Sequence, residues 1–290
     1  TFEYTATDSH SAVSNTGTVT VTVTGTNDDP TVSLGGTDDS GSVTELTDAD
    51  AGENVDDLSA TGTITYDDAD LSDGHTVSSA PNGVGYIGTF AAVVSTAATG
   101  AGAGAVDWTF TVNDALLESL NEGETIDQSY DVTIADGNGG TVVQTIDIQI
   151  VGTNDVPVVQ DVTAPGATED GAAVTGSFDG DDSDAEDDGS TLTYNIMTTP
   201  SEGSVINNGD GTFSFDPGSD FQDLAPGETR DVTFDYTATD AQGAVSNAGT
   251  VTVTVTGTND DPTVSLVGTD DSGSVTELTD ADAGENVDDL

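Results

Sequence analysis

Residues 18–24 read TVTVTVT and run straight into Gly25-Thr26-Asn27-Asp28-Asp29-Pro30. The valines at 19, 21 and 23 share one face and the threonines the other, the period-2 pattern of a strand with one buried face. Glycine and the Asn-Asp pair break that strand, and proline, which has no backbone N–H, forbids a continued central ladder. The same stop returns as Gly152-Thr153-Asn154-Asp155-Val156-Pro157 and as Gly257-Thr258-Asn259-Asp260-Asp261-Pro262, each time after a β-branched run. Three such stops predict a tandem array.

The two ends of the chain give the period. Residues 1–58 align with 233–290 at an offset of 232, and 52 of the 58 positions match. The exceptions are Glu3/Asp235, Ser9/Ala241, His10/Gln242, Ser11/Gly243, Thr16/Ala248 and Gly35/Val267. Self-similarity of this kind dictates a repeat architecture. The stops are unevenly spaced, 127 residues from Gly25 to Gly152 and 105 from Gly152 to Gly257, so the repeating unit is a long module followed by a short one. Both carry L-x-x-G-E-T, as Leu120-Asn121-Glu122-Gly123-Glu124-Thr125 and Leu224-Ala225-Pro226-Gly227-Glu228-Thr229. An aromatic strand follows each (residues 130–134 and 234–238), then a turn and the last β-branched strand.

Other strand candidates are 61–66, 89–94 and 108–112 in the long module, and 173–178, 191–197 and 212–215 in the short one. Asn207-Asn208-Gly209-Asp210-Gly211 reads as a tight hairpin turn. Residues 115–120 (ALLESL) are the best helical candidate, about two turns long, and an Ala-Gly-rich surplus around 91–105 predicts an extra hairpin or loop. Short strands with turn signals between them predict antiparallel, immunoglobulin-like Greek-key β-sandwiches. The expected organisation is 1–24, the tail of a preceding short module; 25–30, linker; 31–151, long module; 152–157, linker; 158–256, short module; 257–262, linker; and 263–290, the head of the next long module. The chain thus reads as a segment of something longer.

Fifty-five acidic residues against one basic side chain, Arg230, give a net charge of -54. Such a chain repels phosphate backbones and anionic lipid surfaces, which excludes nucleic-acid binding. It also repels itself, so folding calls for counter-cations. A hydrophobic fraction of 33% with this charge matches disordered chains too, but the ordered alternation of apolar residues speaks for strands. Without cysteine there is neither a disulfide framework nor a thiolate metal site. No apolar run is long enough to insert in a membrane as a helix.

Two histidines and one arginine leave few groups for catalysis, and His10 is already Gln242 in the second copy, so a non-enzymatic role is expected. Trp108, in W-T-F-T-V alternation, reads as core; Tyr236 as a structural tyrosine corner; His75 as an exposed loop residue. The acidic residues cluster: Glu45, then Asp48 and Asp50 in DADAGE, then Asp67, Asp68 and Asp70 in the long module; Glu169 and the run 179–188 (DGDDSDAEDD) in the short one. Carboxylates and amide oxygens are hard donors that favour calcium. The EF-hand template fails, because position 12 counted from Asp48 is Ser59 and from Asp182 is Thr193. Any calcium site must therefore be assembled from residues distant in sequence, where modules meet.

With these motifs in place, the short module resembles a cadherin-type repeat. The long module resembles the VCBS repeat through Val43-Thr44-Glu45, Tyr66-Asp67-Asp68-Ala69-Asp70-Leu71-Ser72-Asp73, Trp108-Thr109-Phe110 and Asp136-Gly137-Asn138-Gly139-Gly140. Both kinds occur in large bacterial surface adhesins of the RTX type. The resemblance implies tandem immunoglobulin/cadherin-like sandwiches joined end to end, with calcium held at the junctions. By that similarity Glu169 is the first-strand glutamate, Asp182 and Asp184 the D-x-D, Asp240 the A-x-D aspartate, and Asn154-Asp155 and Asn259-Asp260 the linker ligands. In the long module the matching residues are Glu45, Asp68, Asp70 and Asp136, with linker Asn27-Asp28. Two departures stand out: glycine replaces the first linker aspartate, and the L-D-R-E element is missing.

The expected function is a calcium-stiffened stalk on the bacterial cell surface, secreted by a type I route, that projects distal ligand-binding domains for adhesion or biofilm formation. Its partners would be calcium and the neighbouring repeats of a monomeric chain. Two rivals stay open. The repeats could bind glycans or a partner cell's repeats, which predicts an exposed aromatic cluster or a concave pocket. Alternatively, the acidity could serve solubility in saline surroundings.

Overall fold

The computed structural model describes residues 1–70, 72–98, 102–187 and 189–262. The expected module head at 263–290 lies outside the described residues, as do Leu71, Asp188 and residues 99–101 of the Ala-Gly stretch.

Two strands come first, β1 (Phe2–Tyr4) and β2 (Gly17–Val19), paired antiparallel. The long module follows with β3 (Thr31–Val32), β4 (Ser40–Thr44), β5 (Asp57–Asp67), β6 (Thr76–Pro81), β7 (Thr89–Thr96), β8 (Gly104–Asn113), β9 (Thr125–Ala135) and β10 (Thr141–Val151). They form two sheets, β4-β10-β9-β6 and β3-β5-β8-β7. The first segment is shared between them: β3 lies antiparallel to β5, and β4 crosses over to run parallel to β10.

The short module repeats this plan with β11 (Val158–Val159), β12 (Val162–Thr163), β13 (Ala167–Thr168), β14 (Val174–Ser177), β15 (Gly180–Asp181), β16 (Thr193–Ile196), β17 (Ser204–Asn207), β18 (Thr212–Asp216), β19 (Thr229–Thr239) and β20 (Gly249–Thr256). Strands β12 and β13 lie parallel along β20, which continues to β19 and β16. The facing sheet is β14-β18-β17, with β11 on β15. The chain is thus all-β, with tandem Greek-key sandwiches joined end to end.

Period-2 alternation builds each core. Along β8, Val106, Trp108, Phe110 and Val112 turn inward, and Tyr130, Val132, Ile134, Ile146, Ile148 and Ile150 meet them from the other sheet. Trp108 is buried, as its pattern predicts, and its indole N–H donates to the Asp38 carbonyl at 2.9 Å. The second core gathers Phe213, Phe215, Phe221 and Phe234 with Val251, Val253 and Val255. Each such side chain contributes about 1.5–3 kcal/mol by leaving water.

Two expectations change. The helix at 115–120 is a single 3-10 turn, Asp114–Leu116, because so short a segment cannot offset the cost of helix nucleation. Its leucines are drawn into the core at Leu117 and Leu120 instead. Nor is the hairpin near 91–105 an addition, since β7–β8 has its counterpart in β17–β18. The long module differs by longer strands and by a longer connection after its first glutamate, residues 46–56 against 170–173. Tyr236 is structural, as expected, but its hydroxyl donates to the Gln160 carbonyl at 2.6 Å and accepts from the Asp179 N–H at 3.2 Å. It ties distant segments rather than a corner of its own hairpin.

Candidate metal centre

The glycines that open the second and third linkers, Gly152 and Gly257, are each fixed by the L-x-x-G-E-T turn of the module they leave. Gly123 N–H donates to the Gly152 carbonyl at 3.1 Å, and Gly152 N–H to the Glu124 carbonyl at 2.9 Å. Gly227, Gly257 and Glu228 repeat both bonds at 3.0 and 2.8 Å. A Cβ on Gly152 would lie 2.6 Å from the Leu120 Cβ, and one on Gly257 2.7 Å from the Leu224 Cβ. Two motifs read separately in the sequence therefore form one clamp, which only a residue without a side chain can close. The next linker residue reaches the first-strand glutamate: Thr153 N–H donates to Glu45 Oε2 at 2.8 Å, and Thr258 N–H to Glu169 Oε1 at 2.6 Å.

The following pair turns forward into the next module. Asn154 Nδ2 donates to Asp240 Oδ2 at 3.0 Å, and the Asp155 N–H to Asp184 Oδ2 at 3.0 Å. The earlier linker does the same, Asn27 Nδ2 to Asp136 Oδ2 and the Asp28 N–H to Asp70 Oδ2, both at 2.8 Å. Each D-x-D loop closes on itself, Asp184 N–H on Asp182 Oδ1 and Asp70 N–H on Asp68 Oδ1. The A-x-D aspartates are held by turn amides, those of Gly243 and Ala244 on Asp240 and of Asn138, Gly139 and Gly140 on Asp136. Among the described residues Asn259 donates to the Asp260 carbonyl, and Asp260 sits beside Glu169 and Asp170; the module ahead of them lies outside the described residues.

Charge accumulates at 152–157, where both flanking modules are described. Asp155 is 2% exposed, and neither of its carboxylate oxygens has a hydrogen-bond partner. Glu45 Oε1, Asn154 Oδ1, Asp182 Oδ2, Asp184 Oδ1 and Asp187 Oδ2 are likewise buried and unpartnered. Burial, then the charges of Glu118, Glu45, Asp184 and Asp48, push Asp155 up to about 8. Burial also lifts Glu45 to about 7 and Asp182 to about 6, and raises Asp184. Two like charges about 4 Å apart repel by roughly 4 kcal/mol at an effective dielectric of about 20. A cluster of unpartnered hard oxygens fits a divalent cation such as calcium, which would satisfy the oxygens and reverse the repulsion.

Several acidic residues that the sequence reading did not name as ligands join the site. Glu53 and Glu118 form one close carboxylate set with Asp114, and Asp48, Glu53 and Asp155 another; Asp73 joins Asp68 and Asp70. Glu118 was hidden inside the helical candidate, although aligning the two L-x-x-G-E-T motifs would have set it against Gln222. His75 corrects its expectation. Its side chain is buried, its ring lies tilted against Tyr66 with centroids 4.9 Å apart, and it pairs through Nε2 with Asp68 Oδ2 at 3.0 Å. The apolar pocket against Tyr66 takes the ring, and the carboxylate takes its polar edge.

No curated protein matches the chain. Among solved structures it overlaps the protocadherin gamma B2 extracellular cadherin domains 1–5 at 16% identity and a TM-score of 0.47, covering 89% of this chain and 45% of that one. Human mucin-like protocadherin EC1-2 overlaps at 13% and 0.40, over 79% of this chain and 98% of that one. The human desmocollin-1 ectodomain overlaps at 13% and 0.39, over 81% and 42%. The chain thus spans under half the length of the first of these. Residues 154–257, which hold the linker Asn-Asp pair and the short sandwich, match the bacterial cadherin-like domain family.

Proposed function

We propose that this chain is a stretch of extracellular stalk from a large bacterial surface adhesin of the RTX type, in which VCBS-like and cadherin-like modules alternate and calcium stiffens the joints. The cadherin-like match supports an adhesion-type extracellular repeat. The carrying observation is Asp155, a nearly inaccessible carboxylate with two unpartnered oxygens between acidic groups of both neighbouring modules. Calcium would be held there by Glu45, Asn154, Asp155, Asp182, Asp184 and Asp240, and at the other joints by the matching residues. Extracellular calcium modules fill at about 10⁻⁴–10⁻³ M, so the chain would stay loose in the cytosol and stiffen after type I secretion. In an array where each repeat touches only its neighbours, joint rigidity sets the rigidity of the whole.

An exposed aromatic cluster is one of the two features that the glycan-binding alternative predicts. Apart from Phe2 and Tyr4, every aromatic side chain of the protein lies in or against one of the two cores. Small-angle scattering tests the stalk reading: calcium should sharpen a broad distribution of end-to-end distances towards its long limit. Superimposable curves in calcium and in chelator would contradict it.

A further inference from the structure

The connection 46–56 of the long module has no counterpart in the short one, where β14 follows Glu169 after only residues 170–173. Asp114, which is fully buried, fixes this connection by accepting the Leu46 N–H on Oδ1 and the Asn54 N–H on Oδ2, both at 2.9 Å. So bracketed, the loop carries Asp48 and Glu53 over the joint, and each sits within 4.8 Å of Asp155. Asp48 also accepts the Val156 N–H, which pins the loop to the linker. Glu53 meets Glu118 on its other side. Both Glu53 oxygens, Glu118 Oε1 and both oxygens of the 2%-exposed Asp155 are buried without a hydrogen-bond partner. Two carboxylates in contact with no donor from the rest of the protein repel each other, and a shared proton or a bound cation relieves that repulsion.

The short module has taken this arrangement apart. Alignment of the L-x-x-G-E-T motifs sets Gln222 where the long module has Glu118. That amide donates to Asp170 Oδ1 at 3.1 Å, and Asp170 Oδ2 accepts from the Thr258 hydroxyl at 2.9 Å. Both Asp170 oxygens are therefore bonded by protein donors, and the carboxylates left at this joint are Glu169 and Asp260, the counterparts of Glu45 and Asp155.

We propose that the two joints of the alternating array differ in cation capacity: the long-to-short joint carries one additional divalent-cation site, built by Asp48, Glu53, Glu118 and Asp155, that the short-to-long joint lacks among the described residues. Because the pair of modules repeats, sites of high and low capacity alternate along the stalk. This rests on the calcium-joint reading above and goes beyond it, since the loop carboxylates and Glu118 lie outside the ligand set named there.

The test is the calcium stoichiometry of the full chain, measured by equilibrium dialysis with elemental analysis. Glu53→Gln with Glu118→Gln should bind one calcium ion fewer than the wild type and keep the rest. Asp48→Asn with Glu53→Gln should do the same while leaving the Glu118 turn intact, and circular dichroism in calcium confirms that each variant is folded. A folded variant with the wild-type count overturns the additional site alone. A wild-type chain that binds no calcium overturns both this site and the joint reading on which it rests.

Discussion

The linkers 25–30 and 152–157 differ in sequence only at Asp29/Val156, yet they lie in different surroundings. Their forward contacts are the same: the asparagine amide on the A-x-D aspartate, and the aspartate N–H on the second D-x-D carboxylate. Backwards they diverge. Asp155 is walled in by Asp48, Glu53 and Glu118, whereas Asp28 is exposed. Gly152 is clamped on the Leu120 turn, whereas Gly25 has nothing within 4 Å of where its Cβ would be. The forward half of a joint is thus written in the linker and the next module. The backward half needs the completed module behind it.

The comparison can be broken most sharply at the aspartates. Asp155→Asn should remove most of the calcium-induced rise in melting temperature of the full chain, and above about pH 8, where the carboxyl is ionised, it should raise the melting temperature in chelator because one repelling charge is gone. Asp28→Asn should do neither. At tenfold excess over its dissociation constant each lost ion is worth about 1.4 kcal/mol. Equal calcium responses in the two variants would erase the distinction drawn here.

Next come the glycines. Gly152→Ala should cost about 1–3 kcal/mol, the usual range for overpacking, because its Cβ would be driven against Leu120. Gly25→Ala should be neutral within about 0.5 kcal/mol, as expected of an exposed surface position. Chemical denaturation of both variants in calcium measures this difference, and equal costs would refute the clamp.

The smallest effect is that of pH, and the two joints oppose each other. At 152–157 the resolved shifts of Asp155, Glu45 and Asp182 are upward, mainly through burial. Such groups take up protons more readily folded than unfolded, so their stabilising contribution is complete below about pH 4 and is lost as pH rises through their folded values of about 6–8. At 25–30 the Asn27 amide, with turn N–H groups, holds Asp136 below its ordinary value, a contribution present above about pH 4 and lost in acid. Calcium-free melting temperatures should therefore fall by a few degrees between about pH 5 and 8, and millimolar calcium should abolish that slope. A calcium-free curve that rises over this interval would contradict the upward shifts.

The near-identical segments 1–24 and 233–256 show how much was legible. Their turns are local and match: Ala12 N–H donates to Asp8 Oδ1 at 2.9 Å as Ala244 N–H does to Asp240 Oδ1 at 2.7 Å. Their strands are not. Phe234, Tyr236 and Val255 are at most 1% exposed in the sandwich, while Phe2, Tyr4 and Val23 are 66%, 59% and 88% exposed where no sheet faces them among the described residues. Alternation announces which face of a strand can be buried, and a facing sheet decides whether it is. The centre follows the same rule. That the linker, D-x-D and A-x-D residues meet could be read from motifs, because each sits on a turn with its own signature. Glu53 and Glu118 could not, since only the folding of the 46–56 connection around Asp114 brings Glu53 to Asp155 and to Glu118.

The central claim is that specific cations, not general screening, lock the joint at 152–157. Thermal unfolding of the full chain in millimolar calcium, against sodium chloride at equal ionic strength, tests it most directly. A rise of about 10 °C or more in calcium, absent in sodium and largely removed by Asp155→Asn, is the predicted result. Equal stabilisation by sodium would contradict it.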